Sequence, residues 1–201
     1  MLYATYSVGY RSGGFNGRVA SLAEAVQPYD PETVNNIEFG VKSELFDNRV
    51  RLNATVFSMD YEDKQEELQL PSNETDTGQK TVVINPSTAT IQGIEIDLQA
   101  YITEGLSIRG NLGYLDSEYD DFVYEDIEGA IVDLSSLDLR RAPEFTGTIA
   151  ATYEWEMASG QAWVTGSYRY IGEHFTSITN NIESANESQS LVDGSINYAM
   201  G

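Results

Sequence analysis

The sequence contains no cysteine, a single histidine and few basic residues. Without cysteine, neither a disulfide framework nor a thiolate metal site can form. The 11 lysines and arginines stand against 32 aspartates and glutamates, and the formal net charge is −21. Binding of nucleic acid requires a basic face for the phosphates, so this charge balance argues against nucleic acid as a partner.

Long apolar runs are also missing. No stretch approaches the ~18 consecutive apolar residues of a transmembrane helix, and no charged and then apolar leader opens the chain. The sequence does contain 13 tyrosines, 7 phenylalanines and 2 tryptophans, which argues against disorder. Its 201 residues are enough for one all-β domain with a core.

Apolar and polar residues alternate along much of the chain, and residues 93–100 show this most clearly. Only a β-strand separates such residues, because successive side chains leave opposite faces of a sheet. One face of the predicted sheet is therefore exposed to water, and the other contacts either a protein core or lipid. The two sets are Ile94, Ile96, Leu98 and Ala100 against Gly93, Glu95, Asp97 and Gln99.

Eight strands are predicted, and their connections alternate between short and long. Strands of about 10 residues suit a tilted crossing of a bilayer, and this rhythm of connections is typical of outer-membrane barrels. The pattern predicts an all-β, antiparallel transmembrane β-barrel segment with short periplasmic turns and long extracellular loops. The strands are 2–10, 33–45, 50–63, 89–100, 106–115, 143–155, 162–172 and 190–200. The long connections are 11–32, 64–88, 116–142 and 173–189.

The apolar stripes of these strands are predicted to face lipid, with aromatic residues near the stripe ends. Aromatic packing in the core of a soluble sandwich is the alternative explanation. The pattern changes phase after Val56, where Phe57, Met59 and Tyr61 become the bulky residues; a β-bulge or the exit from the membrane would each explain this. The predicted lipid-facing residues are Phe39, Val41, Val50, Leu52, Ile94, Ile96, Leu98, Ile108 and Leu112.

Two pairs of opposite charge are predicted on the face exposed to water. Alignment of the stripes across residues 101–105 places Asp97 opposite Arg109, and the turn at 46–49 places Glu44 opposite Arg51. Such cross-strand pairs contribute roughly 0.2–1 kcal/mol each and help to set register. We interpret both pairs as structural and not as ligand contacts.

Catalytic, cofactor and metal sites are not indicated, and we expect no enzyme activity. His174 has no second histidine with which to shuttle protons or hold a metal, so an exposed loop residue is its default interpretation. Residues 111–139 carry nine carboxylates and no Lys or Arg, yet their spacing matches no EF-hand. A solvated loop is favoured there over a Ca²⁺ site. The nine are Asp116, Glu118, Asp120, Asp121, Glu125, Asp126, Glu128, Asp133 and Asp138.

Several motifs resemble those of TonB-dependent receptors, and they occur in that family's order over nearly the whole chain. Residues 6–16 read YSVGYRSGGFN, and residues 29–43 read YDPETVNNIEFGVKS. Residues 91–95 read IQGIE, residues 105–116 read GLSIRGNLGYLD and residues 141–147 read RAPEFTG. Each motif alone is weak, but the ordered set is specific.

The resemblance implies a late part of a barrel of about 22 strands whose lumen is filled by an N-terminal plug. Residues 1–201 are then a partial barrel domain in which the plug and the TonB box are absent. Such receptors sit in the outer membrane of Gram-negative bacteria, among lipid and lipopolysaccharide, and import scarce nutrients, most often ferric siderophores, with energy from TonB. The ligand-binding residues remain unknown at this level. A soluble all-β binding or adhesion module with acidic loops is the alternative function, and a small barrel enzyme has the least support.

Overall fold

The computed structural model describes residues 1–19, 21–73, 75–126 and 129–201. Its main element is an antiparallel sheet in which each of eight long strands pairs with the next one along the chain. The predicted all-β class and the eight strands are therefore confirmed. The strands are β1 (Leu2–Arg11), β2 (Glu32–Leu45), β3 (Val50–Pro71), β4 (Gln79–Tyr101), β5 (Leu106–Glu125), β6 (Phe145–Met157), β7 (Gly160–Ile171) and β8 (Gln189–Met200).

The sheet is open, with β1 and β8 at its edges. No second sheet layer packs against it among the described ranges, where the other elements are short. They are the strands Gly14–Phe15, Pro28–Tyr29, Ile131–Asp133, His174–Phe175 and Ala185–Asn186, the helix Leu22–Ala25 and the 3₁₀ helix Ile182–Ser184. Within the described part of the chain, no helix has the length and hydropathy to span a membrane.

The three central strands are much longer than predicted. β3, β4 and β5 have 22, 23 and 20 residues, and they run far into the segments 64–88 and 116–142 that were predicted as loops. Pairing of β3 with β4 continues up to Pro71 and Gln79. The prediction was wrong here because backbone groups pair whatever the polarity of the side chains, so polar composition alone does not end a strand.

The change of phase after Val56 does not come from a β-bulge at that point. The ladder between β3 and β4 runs without a shift from Val50 to Tyr61, and the shifts come only beyond Tyr61. Phe57 instead lies over Gly93, where an added Cβ would come within 2.5 Å of the phenylalanine ring. The strand thus places a large ring on its polar side because the neighbouring strand offers a glycine there.

The packed core lies at the end of the sheet that carries the long connections. Its buried members come from the extensions of β3, β4 and β5 and from the connections that follow β5 and β7. These residues are Leu68, Ala89, Tyr119, Phe122, Leu139 and Ile178. Burial of these side chains stabilises the extended strands and holds two connections against them.

The connection between β1 and β2 packs on the same extension. The Asn16 side chain exchanges two hydrogen bonds with the backbone of Val83, at 3.0 and 2.7 Å. Arg18 forms an ion pair with Glu67 at 3.0 Å. The long-loop end of the sheet is therefore a structured surface and not a set of free loops.

Candidate functional site

The register of the ladders sorts the side chains of the sheet into an apolar face and a polar face. The apolar face is defined by rungs such as Leu52–Leu98–Gly110 and Ala54–Ile96–Leu112. The polar face is defined by rungs such as Arg51–Gln99–Arg109 and Asn53–Asp97–Asn111. All nine residues predicted to face lipid lie on the apolar face.

Large side chains of the apolar face stay uncovered in this chain. Phe39 is 58% exposed, Leu112 47% and Ile94 42%. A soluble domain would bury such a stripe against a second layer, because burial of apolar area is the main stabilising contribution to folding. The apolar face is therefore built for apolar surroundings that lie outside the chain.

Aromatic rings stand near both ends of the apolar face. Tyr153 and Trp155 stack with ring centres 5.8 Å apart near the short turns. Tyr114 and Phe145 have ring centres 5.0 Å apart where β6 begins, toward the long connections. Amphipathic rings at two levels are typical of the two interfaces of a bilayer.

The four residues of the two charge pairs proposed from the sequence lie on the polar face, and only one of the pairs forms. Glu44 lies opposite Arg51, and Oε1 of Glu44 accepts a hydrogen bond from Nη2 of Arg51 at 2.8 Å. Asp97 lies opposite Asn111 instead of Arg109, and Arg109 lies opposite Gln99. The predicted register was wrong by two residues, since Ala100 opposes Ile108 and not Leu106.

The Glu44–Arg51 pair is expected to contribute little to stability. Its side chains are 52% and 59% exposed, and exposed ion pairs are worth about 0.2–1 kcal/mol. A double-mutant cycle with Glu44→Gln and Arg51→Gln, read by urea unfolding of the full-length protein, should give a coupling energy in that range. The coupling should fall as salt is raised. A coupling that is larger and insensitive to salt would show that the pair becomes buried in the complete protein.

A buried ionic cluster at the long-loop end was missed by the sequence reasoning. Glu66 is fully buried, and its Oε1 accepts hydrogen bonds from Lys64 Nζ and from Tyr119 OH, the latter at 2.9 Å. Its Oε2 lies 3.4 Å from Nη2 of Arg140. The arginine pair 140–141, directly after the acidic segment 111–139, was the available signal, because cations that follow a long run of carboxylates point to a specific partner.

The Glu66 cluster ties three distant parts of the chain together. Glu66 belongs to β3, Tyr119 to β5, and Arg140 to the connection between β5 and β6. Oε2 of Glu66 makes no hydrogen bond, although the Arg140 cation stands beside it. The arrangement fixes the connection over the sheet extension through a charge interaction between a buried carboxylate and a partly exposed arginine.

Burial raises the pKa of Tyr119 well above its usual value of 10.0, and the nearby Glu66 carboxylate raises it further. The unfolded chain therefore releases the phenolic proton more readily than the folded chain. The resulting stability is present below pH 10 and is lost as the pH rises above it.

This linkage predicts a pH-dependent difference between the wild type and Tyr119→Phe. The gap between their free energies of unfolding should shrink above pH 10 by about 1.4 kcal/mol per pH unit. Urea unfolding at a series of alkaline pH values measures the gap. If the difference in free energy of unfolding stays constant from pH 9 to 11, folding does not raise the pKa of Tyr119.

His174 is half-buried and lies in a small hairpin, in which the short strands His174–Phe175 and Ala185–Asn186 pair. Its Nδ1 is 3.0 Å from the carbonyl oxygen of Gly172, and its Nε2 is 3.2 Å from Nδ2 of Asn186. A carbonyl only accepts and an amide nitrogen only donates, so the ring carries its proton on Nδ1. The residue pairs two strands and is not the exposed loop histidine that was expected.

A cleft of about 490 Å³ opens beside this small hairpin, between β5 and the connections after β5 and β7. The residues that line it include the apolar Leu115, Leu139 and Phe175 and several carboxylates, among them Asp116 and Asp138. No group of three or more His, Asp or Glu side chains is placed to hold a metal ion in the ranges that the structure describes. Glu128 of the acidic segment lies outside the described residues.

Comparisons with known proteins agree with this geometry. The family model described as "TonB dependent receptor-like, beta-barrel" matches residues 1–200. A probable TonB-dependent siderophore receptor, PiuA of Acinetobacter baumannii, is 25% identical over 121 residues, which cover 58% of this chain and 15% of the relative.

Two solved receptors share the fold at low identity. The ferric yersiniabactin uptake receptor FyuA of Yersinia pestis has a TM-score of 0.76 and 18% identity, over 98% of this chain and 27% of FyuA. The ferric preacinetobactin receptor BauA of Acinetobacter baumannii has a TM-score of 0.69 and 16% identity, over 100% of this chain and 27% of BauA. The chain thus spans about a quarter of the length of these structures. Because the family model covers nearly every residue, this chain belongs to the TonB-dependent receptor-like β-barrel family.

Proposed function

We propose that this chain is a section of the barrel wall of an outer-membrane receptor that imports a ferric siderophore with energy delivered by TonB. The proposal rests on the antiparallel sheet, in which one face is apolar and uncovered and the other face is polar. The family model matches this sheet over residues 1–200. In the complete receptor the polar face lines the lumen, and a plug domain fills that lumen.

The apolar face is proposed to contact the lipid and lipopolysaccharide of a Gram-negative outer membrane. Its exposed stripe and its two levels of aromatic rings fit a bilayer core with an interface on each side. The short turns then face the periplasm. The extended β3–β4 hairpin and the Glu66 cluster stand outside the cell, where an incoming ligand first meets the receptor.

A ferric siderophore is the proposed ligand because PiuA, FyuA and BauA are named as siderophore or ferric-complex receptors. We assign no catalytic step to the chain, since both ring nitrogens of His174 are engaged in structural hydrogen bonds. The soluble adhesion module has less support, because such a module would leave the apolar face in contact with water.

Uptake of iron by whole cells tests this function. Cells that lack their own siderophore receptors would express the full-length receptor and be offered radiolabelled ferric complexes of catecholate, hydroxamate and phenolate siderophores. At least one complex should enter, and its uptake should stop when TonB is deleted. The control is the same strain carrying an empty vector.

Two results would contradict the proposal. Accumulation of the protein in the soluble fraction of the cell would exclude a membrane wall. Uptake of every complex at the rate of the empty-vector strain, with the receptor folded in the outer membrane, would exclude siderophores as the ligand class.

A further inference from the structure

Arg109 has no partner on the polar face. Its two cross-strand neighbours are Gln99 and Ala150, and the side chain of neither residue bonds to the guanidinium. The nearby Arg51 is already paired with Glu44. Among the described residues, no hydrogen bond or ion pair engages the five N–H donors of the Arg109 guanidinium.

An open cleft of about 390 Å³ surrounds this side chain. Asp97 is the carboxylate among the residues that line the cleft, and it makes no ion pair with either arginine in the described part of the chain. The cleft therefore presents an unpaired cation and an unpaired anion on neighbouring rungs. The other polar residues that line it are Arg51, Asn53, Gln99, Asn111 and Thr148.

Water satisfies these groups while the polar face is open, but a domain packed against the face would remove that water. A guanidinium taken out of water needs an anionic partner, because an unpaired buried charge is strongly destabilising. The planar guanidinium fork matches a carboxylate in two parallel hydrogen bonds. Asp97 in turn requires a hydrogen-bond donor.

We propose that this cleft is the docking site of an acidic side chain from the domain that fills the barrel, held by the Arg109 guanidinium, with Asp97 accepting a hydrogen bond from the same segment. The inference rests on the proposed function, since it needs a domain inside the barrel. Most of the length of FyuA and BauA lies outside the part that this chain matches, so a receptor of this size has room for the occupant.

Zero-length cross-linking in the full-length receptor tests the proposal. Arg109→Lys keeps the positive charge and supplies an amine. A carbodiimide activates a carboxyl group in contact with that amine; the amine displaces the activated oxygen, and an amide and a urea are formed. Mass spectrometry should then find the peptide that contains position 109 joined to an Asp or Glu outside residues 1–201.

Ser107→Lys is the matched control, because Ser107 lies on the same strand and face, one rung nearer the short turn. It should give no zero-length cross-link to the acidic side chain that position 109 captures. A long amine-to-amine linker applied to the same control variant reports whether any domain occupies the barrel. Heat-dependent migration in gels shows that both variants remain folded.

The outcomes separate the two proposals. A long-linker product with an external segment, together with the cross-link at position 109, supports the docking site. A long-linker product without that cross-link, or with a cross-link only to Asp97, overturns the docking site alone. The absence of any external product from either reagent overturns the proposed occupied barrel, and the docking site with it.

Discussion

Replacement of Glu66 by glutamine is expected to lower the free energy of unfolding by about 3 kcal/mol, because it removes a buried anion and leaves two partly buried cations without it. Glu66 is fully buried, and the side chains of Lys64 and Arg140 around it are 16% and 35% exposed. Glutamine has the same shape, so the loss reports the charge and not a cavity. Urea unfolding of the full-length protein in detergent or lipid measures it.

The effect of Glu66→Gln should be greatest where the cluster holds the connection after β5. The amide of Leu134 donates to the carbonyl of Phe122 at 2.8 Å, and the amide of Phe122 donates to Ser135 Oγ at 2.9 Å. Hydrogen exchange at these two amides should accelerate in the variant. Unchanged exchange there would show that the connection is held by apolar packing alone.

Glu67→Gln is the matched control. Glu67 is the next residue and also forms an ion pair, but its side chain is 40% exposed and that of its partner Arg18 is 69% exposed. Its loss should cost at most about 1 kcal/mol. If the two substitutions lower the free energy of unfolding equally, burial is not the reason that the Glu66 cluster stabilises the protein.

Replacement of Leu98 by arginine is expected to destabilise the protein in lipid vesicles by about 2–4 kcal/mol, the cost of a cation near the midplane of a bilayer. Leu98 lies on the apolar face opposite Gly110, midway between the Tyr114–Phe145 rung and the Leu106–Tyr153 rung. The same substitution should cost much less in a short-chain detergent, where water reaches the side chain more easily. Urea unfolding in both media gives the difference.

Ser167→Arg provides the comparison on the opposite face. Ser167 lies on the polar face of β7 and opposes Asp193, so an arginine there gains an anion. We expect a change within about 0.5 kcal/mol, as for surface substitutions in general. If both arginines were tolerated equally in lipid, the apolar face would not face the bilayer.

Much of the fold was predictable because strand residues alternate with a period of two. That period placed Ile94, Ile96 and Leu98 on one face and Asp97 on the other, and the structure keeps this division. The turn at 46–49 joins strands whose ends were also well marked. Its length brings Leu45 opposite Val50 and therefore Glu44 opposite Arg51.

The same period explains why the partner of Asp97 could not be predicted. A slip of one residue exchanges the two faces, but a slip of two leaves every residue on its own face. The predicted alignment differed from the structure by such a slip, so the faces were right while the pair Asp97–Arg109 was wrong. The hydrogen bond from the amide of Ile102 to the carbonyl of Leu106 shows the local closure of that turn.

The sequence by itself determined the strands, their order and the face that each side chain takes, since these depend on local alternation and on the lengths of the turns. Only the tertiary structure decided the register across residues 101–105, the length of β3, β4 and β5, and the burial of Glu66. These features depend on which distant segments pack together. Glu66, Tyr119 and Arg140 are separated by tens of residues, and nothing in the local pattern of any of them requires the other two.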